Sequence, residues 1–145
     1  MKVFLSLSVL FILFGCAQTR NTESSAKPGN DGPAMAELGD ITVKGDPVTI
    51  DTAYVRGHTL TIKMSYSGGC EKHFFDLRGS FLVMKTFPPK RSIKLIHRAS
   101  GDSCREWISG SAEFDISDLA YEKKSGEEIM LILDGYKHPI SYVYP

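Results

Sequence analysis

Apolar and polar residues alternate with a period of two along most of the chain's second half. Leu60, Ile62, Met64 and Tyr66 alternate with Thr61, Lys63 and Ser65. Side chains at every second position share a face of a strand, so this segment predicts a strand with one buried and one wet side. Val48 and Ile50 alternate with Thr49 and Asp51, and Ile93, Leu95 and His97 with Lys94 and Ile96. Phe75 and Leu77 begin an extended stretch that runs through Phe81, Leu82 and Val83 and stops at Pro88-Pro89, since proline has no N–H for a ladder. Trp107-Ile108 and Phe114-Ile116 read as short strands. Ile129 to Leu133 is a continuous apolar run, the pattern of a strand covered on both faces. A last strand places Ile140, Tyr142 and Tyr144 on one side.

Turn chemistry separates these runs. Ser67-Gly68-Gly69, Ser100-Gly101-Asp102 and Asp134-Gly135 are turn signals. The stretch Ser117 to Glu128 is ambiguous and has room for one helical turn capped by Ser117 or Asp118. Seven or eight short strands over about a hundred residues predict an all-β fold. The expected form is a two-layer antiparallel sandwich, immunoglobulin-like, with a small β-barrel as the alternative.

The first half follows different rules. Lys2 precedes a wholly uncharged apolar run from Val3 to Phe14, about a dozen residues and too short to span a bilayer as a helix. Its flanks and length are those of an export signal, so residues 1–15 fall outside the fold. Residues 16–38 hold Ser, Thr, Asn, Gly and Pro and almost nothing apolar. Such a stretch cannot offset its own ordering entropy and reads as a tether. The folded domain is expected over residues 39–145.

The string Leu13-Phe14-Gly15-Cys16 resembles the lipobox of bacterial lipoproteins, in which the cysteine is acylated and becomes the first residue of the mature chain. The alternative is an ordinary secretory signal with Cys16 near the cut. The resemblance implies a membrane anchor made of acyl chains on Cys16, each buried methylene worth about 0.8 kcal/mol. It also implies an envelope location. Ala17 follows in place of the aspartate that often marks inner-membrane retention, which points to the outer membrane.

Composition removes several function classes. The chain has 17 basic and 17 acidic residues; losing Lys2 with the signal leaves 16 against 17. A near-neutral domain has no electrostatic footprint for nucleic acid. No Gly-x-Ser-x-Gly elbow, His-Glu-x-x-His or phosphate loop is present, and the carboxylates Asp76, Asp102, Asp115 and Asp118 are scattered. These absences point to a non-enzymatic protein without a cofactor.

Three cysteines occur, Cys16, Cys70 and Cys104. With Cys16 lipidated, Cys70 and Cys104 remain as one pair in an oxidising compartment, the setting for a disulfide. Closing that loop is worth roughly 4 kcal/mol in the chain-entropy model. The competing reading is a zinc or copper site made of Cys70, His73, His97 and Cys104, since a Cys2His2 set suits both metals. The spacing Cys70-x-x-His73 is chelate-like; that between His97 and Cys104 is looser. The two readings exclude each other, because a disulfide removes both thiolates. Trp107 is expected to pack on the disulfide or the core.

The loop Phe87-Pro88-Pro89-Lys90-Arg91 joins two strands and mixes an aromatic, a stiff proline pair and cations. It is the candidate binding loop, because sandwiches carry recognition on their end loops; an envelope protein or a glycan would be its partner. Finally, Ser65-Tyr66-Ser67-Gly68-Gly69-Cys70-Glu71-Lys72-His73, His97, Gly101-Asp102-Ser103-Cys104-Arg105-Glu106 and Phe114-Asp115-Ile116-Ser117 together resemble a group of small uncharacterised bacterial lipoproteins. That resemblance implies a β-rich lipoprotein and carries no catalytic role.

Overall fold

A computed structural model describes residues 32–145. The signal segment, Cys16 and most of the expected tether lie outside the described residues. Among the described residues there are nine strands: β1 (Ala34–Met35), β2 (Glu37–Leu38), β3 (Thr49–Arg56), β4 (Thr59–Gly68), β5 (Phe74–Met84), β6 (Lys90–Arg98), β7 (Glu106–Asp115), β8 (Glu128–Leu133) and β9 (Ile140–Val143). One sheet has the order β1-β7-β4-β3 and the other β2-β5-β6-β8-β9. The all-β, two-layer sandwich expected from the sequence is the architecture observed.

The alternation along β4 decides which side of the first sheet faces inward. Leu60, Ile62, Met64 and Tyr66 are buried and meet Leu77, Ile93, Leu95, Ile129, Leu131, Ile140 and Tyr142 from the second sheet. Each such side chain contributes about 1.5–3 kcal/mol when withdrawn from water. The outer face of β4 is less wet than predicted, because β4 lies between β3 and β7. Thr61 and Ser65 are buried there, and Ser65 donates its hydroxyl to Asp51 at 2.7 Å. The β3–β4 hairpin closes over Gly57-His58, where φ of +58° favours glycine.

Pairing departs from the antiparallel expectation. Three of the seven strand pairs are parallel: β1 with β7, β2 with β5, and β6 with β8. For β6 and β8 the reason is topological. The chain leaves β6, crosses to form β7 in the other sheet and returns, so β8 enters beside β6 in the same direction. β8 also differs from the fully covered strand its apolar run predicted. Ile129, Leu131 and Leu133 are buried, and Met130 and Ile132 on the other side are half-buried.

The folded part begins before Gly39. Ala34–Met35 pairs with Phe114–Asp115 of one sheet, and Glu37–Leu38 pairs with Arg78–Gly79 of the other. Between them Ala36 is buried, and its N–H donates to the Asp115 carbonyl. The end of the segment read as a tether is therefore a clasp on one side of the sandwich. The ambiguous stretch contains one 3-10 turn, Ser117–Leu119. Asp115 accepts the Ser117 N–H; neither Ser117 nor Asp118 caps the turn.

Candidate functional site

The strand directions give the sandwich two chemically different ends. Gly68, Phe74, Arg98 and Glu106 lie at one end, and the β5–β6 turn lies at the other.

At the first end, which we call the rim, Cys70 follows β4 and Cys104 precedes β7, and the two are joined as a disulfide. The sulfurs are consumed in that bond, so the thiolate metal set of Cys70, His73, His97 and Cys104 is not what these residues form. The histidines instead face each other behind the disulfide. His73, the residue before β5, is buried, and His97, near the end of β6, is 1% exposed. His73 Nδ1 lies 2.7 Å from His97 Nε2. His97 Nδ1 lies 3.0 Å from the Pro47 carbonyl, and His73 Nε2 lies 3.1 Å from Asp102 Oδ2.

Asp102, a scattered carboxylate in the sequence, is the organiser of this end. Its Oδ2 accepts the main-chain N–H groups of Cys70 and Glu71, and its Oδ1 accepts that of Cys104. Those donors, Glu71 foremost and then Cys104, hold its carboxyl well below the ordinary carboxylate range. Burial lowers the proton affinity of His97, partly offset by its bond to Pro47. The rings are packed in an aromatic box. Phe75 stacks on His97 at 4.8 Å between centroids, and Tyr66 sits 4.7 Å from His73 and 5.0 Å from His97. Burial raises the Tyr66 hydroxyl. Gly68 completes the box, since a Cβ there would fall on the His73 ring. Trp107 takes no part in it. It points outward at 65% exposed, because its position in β7 pairs with Ser67 on the solvent face of the sheet; the expected packing on the disulfide or core is not formed.

At the other end β5 projects as a finger. Pairing with β6 shifts between Gly79 and Val83, so Ser80, Phe81 and Leu82 oppose the single residue Ser92. Such a bulge re-aims side chains. Here it turns Phe81 and Leu82 outward, and with Met84 and Phe87 they make four large apolar side chains in solvent; Leu82 is 82% exposed and Phe87 fully so. The tip is ordered by Thr86, whose hydroxyl donates to the Pro88 carbonyl at 2.7 Å.

Arg91, expected in the binding loop, is only 5% exposed and does not belong to that surface. Its guanidinium points inward, donating to the carbonyls of Leu119, Ser80 and Ala120. It thereby ties the bulge to the 3-10 turn. Phe87 is the exposed member of the predicted loop, with Pro88, Pro89 and Lys90 half-buried behind it. The neighbours that enlarge the patch, Phe81 and Leu82, belong by sequence to an ordinary extended stretch. The interruption of alternation at Phe81-Leu82-Val83 is the signal that could have found them.

No protein-family model matches the chain, and no curated protein matches it in sequence. Among solved structures it is similar to a NigD-like immunity protein from Bacteroides caccae, with 17% identity and a TM-score of 0.57 over 77% of this chain and 64% of that one. It is also similar to a protein of unknown function, DUF1344, from Bacteroides vulgatus, with 17% identity and a TM-score of 0.53 over 78% of this chain and 57% of that one. At such identity the likeness is one of fold. The chain spans less than two thirds of the length of either structure.

Proposed function

We propose that this chain is a lipid-anchored, non-enzymatic protein of the bacterial envelope that holds a protein partner through the β5 finger. The observation that carries the reading is the exposed cluster of Phe81, Leu82, Met84 and Phe87 on a bulge braced by Arg91. Large apolar side chains grouped in solvent mark interaction sites, and aromatic residues dominate the energetics of protein interfaces. Four of the exposed side chains between Phe81 and Phe87 are large and apolar, which suits a protein surface better than a glycan. Pre-ordering of the finger lowers the entropy cost of association.

Three further points support the reading. The Leu13-Phe14-Gly15-Cys16 string has the lipobox pattern, and the absence of an aspartate after Cys16 favours the outer membrane. The disulfide suits an oxidising compartment. The fold is shared with a protein described as an immunity protein, which agrees with a role in binding.

A photo-crosslinking amino acid placed at Phe87 or at Leu82 in the full-length protein in cells tests this. A discrete protein adduct from both positions, absent from the exposed Tyr121, supports it. Equal labelling from all three positions, or none, overturns it. Metabolic labelling with an acyl analogue, lost in Cys16→Ser, tests the anchor separately.

A further inference from the structure

The chain of bonds at the rim ends in acceptors on both sides. The Pro47 carbonyl closes one end, and the Asp102 carboxylate closes the other. Neither has a proton to give, because Asp102 is held as an anion by three main-chain N–H groups. The bond to Pro47 therefore needs a proton on His97 Nδ1, and the bond to Asp102 needs one on His73 Nε2. The bond between the rings, at 2.7 Å, needs a third proton on either His97 Nε2 or His73 Nδ1. Two neutral imidazoles carry two ring protons in total.

We infer that His73 and His97 hold three ring protons between them, so that the pair is a buried monocation that neutralises Asp102 and latches the disulfide rim shut. The charge is placed on His73, the ring in contact with the carboxylate, Nε2 lying 3.1 Å from Asp102 Oδ2. The remaining titratable groups packed around the pair are Asp46, from the segment leading into β3, and Tyr66, from β4. Asp46 adds negative potential, and the faces of Tyr66 and Phe75 favour a cation.

The latch joins segments distant in sequence: the approach to β3, the start of β5, the end of β6 and the connection from β6 to β7. If the third proton leaves, two lone pairs face each other across one bond, and that bond opens. The pH dependence has a definite sign. In the unfolded chain both histidines gain and lose their extra protons near pH 6.5, about the ordinary value. The folded pair keeps one extra proton on either side of that value. Below it the unfolded chain binds more protons than the folded one, and above it fewer. The contribution of the pair to stability is therefore greatest near neutrality and declines in both directions.

Ring nitrogens of the full chain, labelled with 15N-histidine, are to be counted by NMR at about pH 6.5. Three protonated nitrogens on His73 and His97 are expected. Two, with both rings neutral, would overturn the assignment, and so would four. In Asp102→Asn the count should fall to two; an unchanged count of three would remove Asp102 from the device. Raising the pH until the wild-type pair loses a proton should lower the protection of the Cys70, Glu71 and Cys104 amides, measured against the rate of a free peptide at the same pH, by about tenfold, the equivalent of one bond to a charged group. Loss of the ring proton with no change at those amides would refute the latch.

Discussion

Arg91→Met removes a buried cation while keeping most of the side chain's length. The wild-type guanidinium has its partners, among the described residues, in the carbonyls of Leu119, Ser80 and Ala120. The contact with Ala120, at 3.4 Å, is the weakest. Methionine leaves the other two without a donor, and an unsatisfied buried acceptor costs about 1–3 kcal/mol. Relief from burying a charge offsets part of this. The apolar stem still lies over Gly79, where a Cβ would come within 3.2 Å of the wild-type Cδ. A net loss of about 2–4 kcal/mol follows, or a fall of about 2 M in the urea midpoint at a typical slope for this size. Arg91→Lys, able to reach one carbonyl, should fall between. Equilibrium urea unfolding of the full chain measures both, and hydrogen exchange at Val83 reports whether the bulge loosens before the core. A loss below about 0.5 kcal/mol, the range of neutral surface changes, would refute the idea that this arginine braces the finger.

Replacing both Cys70 and Cys104 with serine should cost about 4 kcal/mol in the chain-entropy model, read as a lower unfolding midpoint with strand content unchanged by circular dichroism. Acid should weaken the rim through Asp102. Its carboxyl is depressed in the folded state, so below about pH 4, near the unfolded value, the unfolded chain binds more protons and stability falls with pH. Asp102→Asn should flatten that part of the pH–stability curve. Gly68→Ala places a methyl on the His73 ring and should cost about 1–3 kcal/mol by overpacking, with shifted His73 and Tyr66 resonances. Phe87→Ser should leave the melting temperature nearly unchanged, within the neutral range for surface sites, while removing the crosslinked adduct.

Periodicity made the core strands readable. Leu60 to Tyr66 and Ile140 to Tyr142 bury the faces their alternation predicts, because one sheet side meets the core and two-residue repeats record that directly. Cysteine parity points to the disulfide because its basis, an odd count with Cys16 set apart by the signal-like run before it, is compositional. What could not be read depends on single residues meeting across long sequence distances. Ala34–Leu38 is too short for any period to show, and only Ala36 is buried there. Arg91 looked like a loop cation because charge usually means solvent; its burial depends on carbonyls contributed by the bulge and by a turn nearly thirty residues on. The histidines stand out in the sequence for their proximity to cysteines, yet their chemistry is set by Pro47 and Asp102, which no local motif links to them. For Trp107 the expectation of packing on the disulfide or core follows the habit of aromatics in sandwiches, whereas its register with Ser67 turns it out.

The clasp at Ala34–Leu38 also fixes how the protein bears tension. β2 lies directly against Arg78 and Gly79, the residues that precede the bulge, and Gly39 donates to the Gly79 carbonyl. A pull from the N-terminal side meets β1, held by β7 of one sheet, before it reaches β2, held by β5 of the other. Because β2 runs parallel to β5, strain along the strands shears their hydrogen bonds together instead of peeling them singly. A domain built this way meets a pull on its N-terminal side with both sheets rather than one.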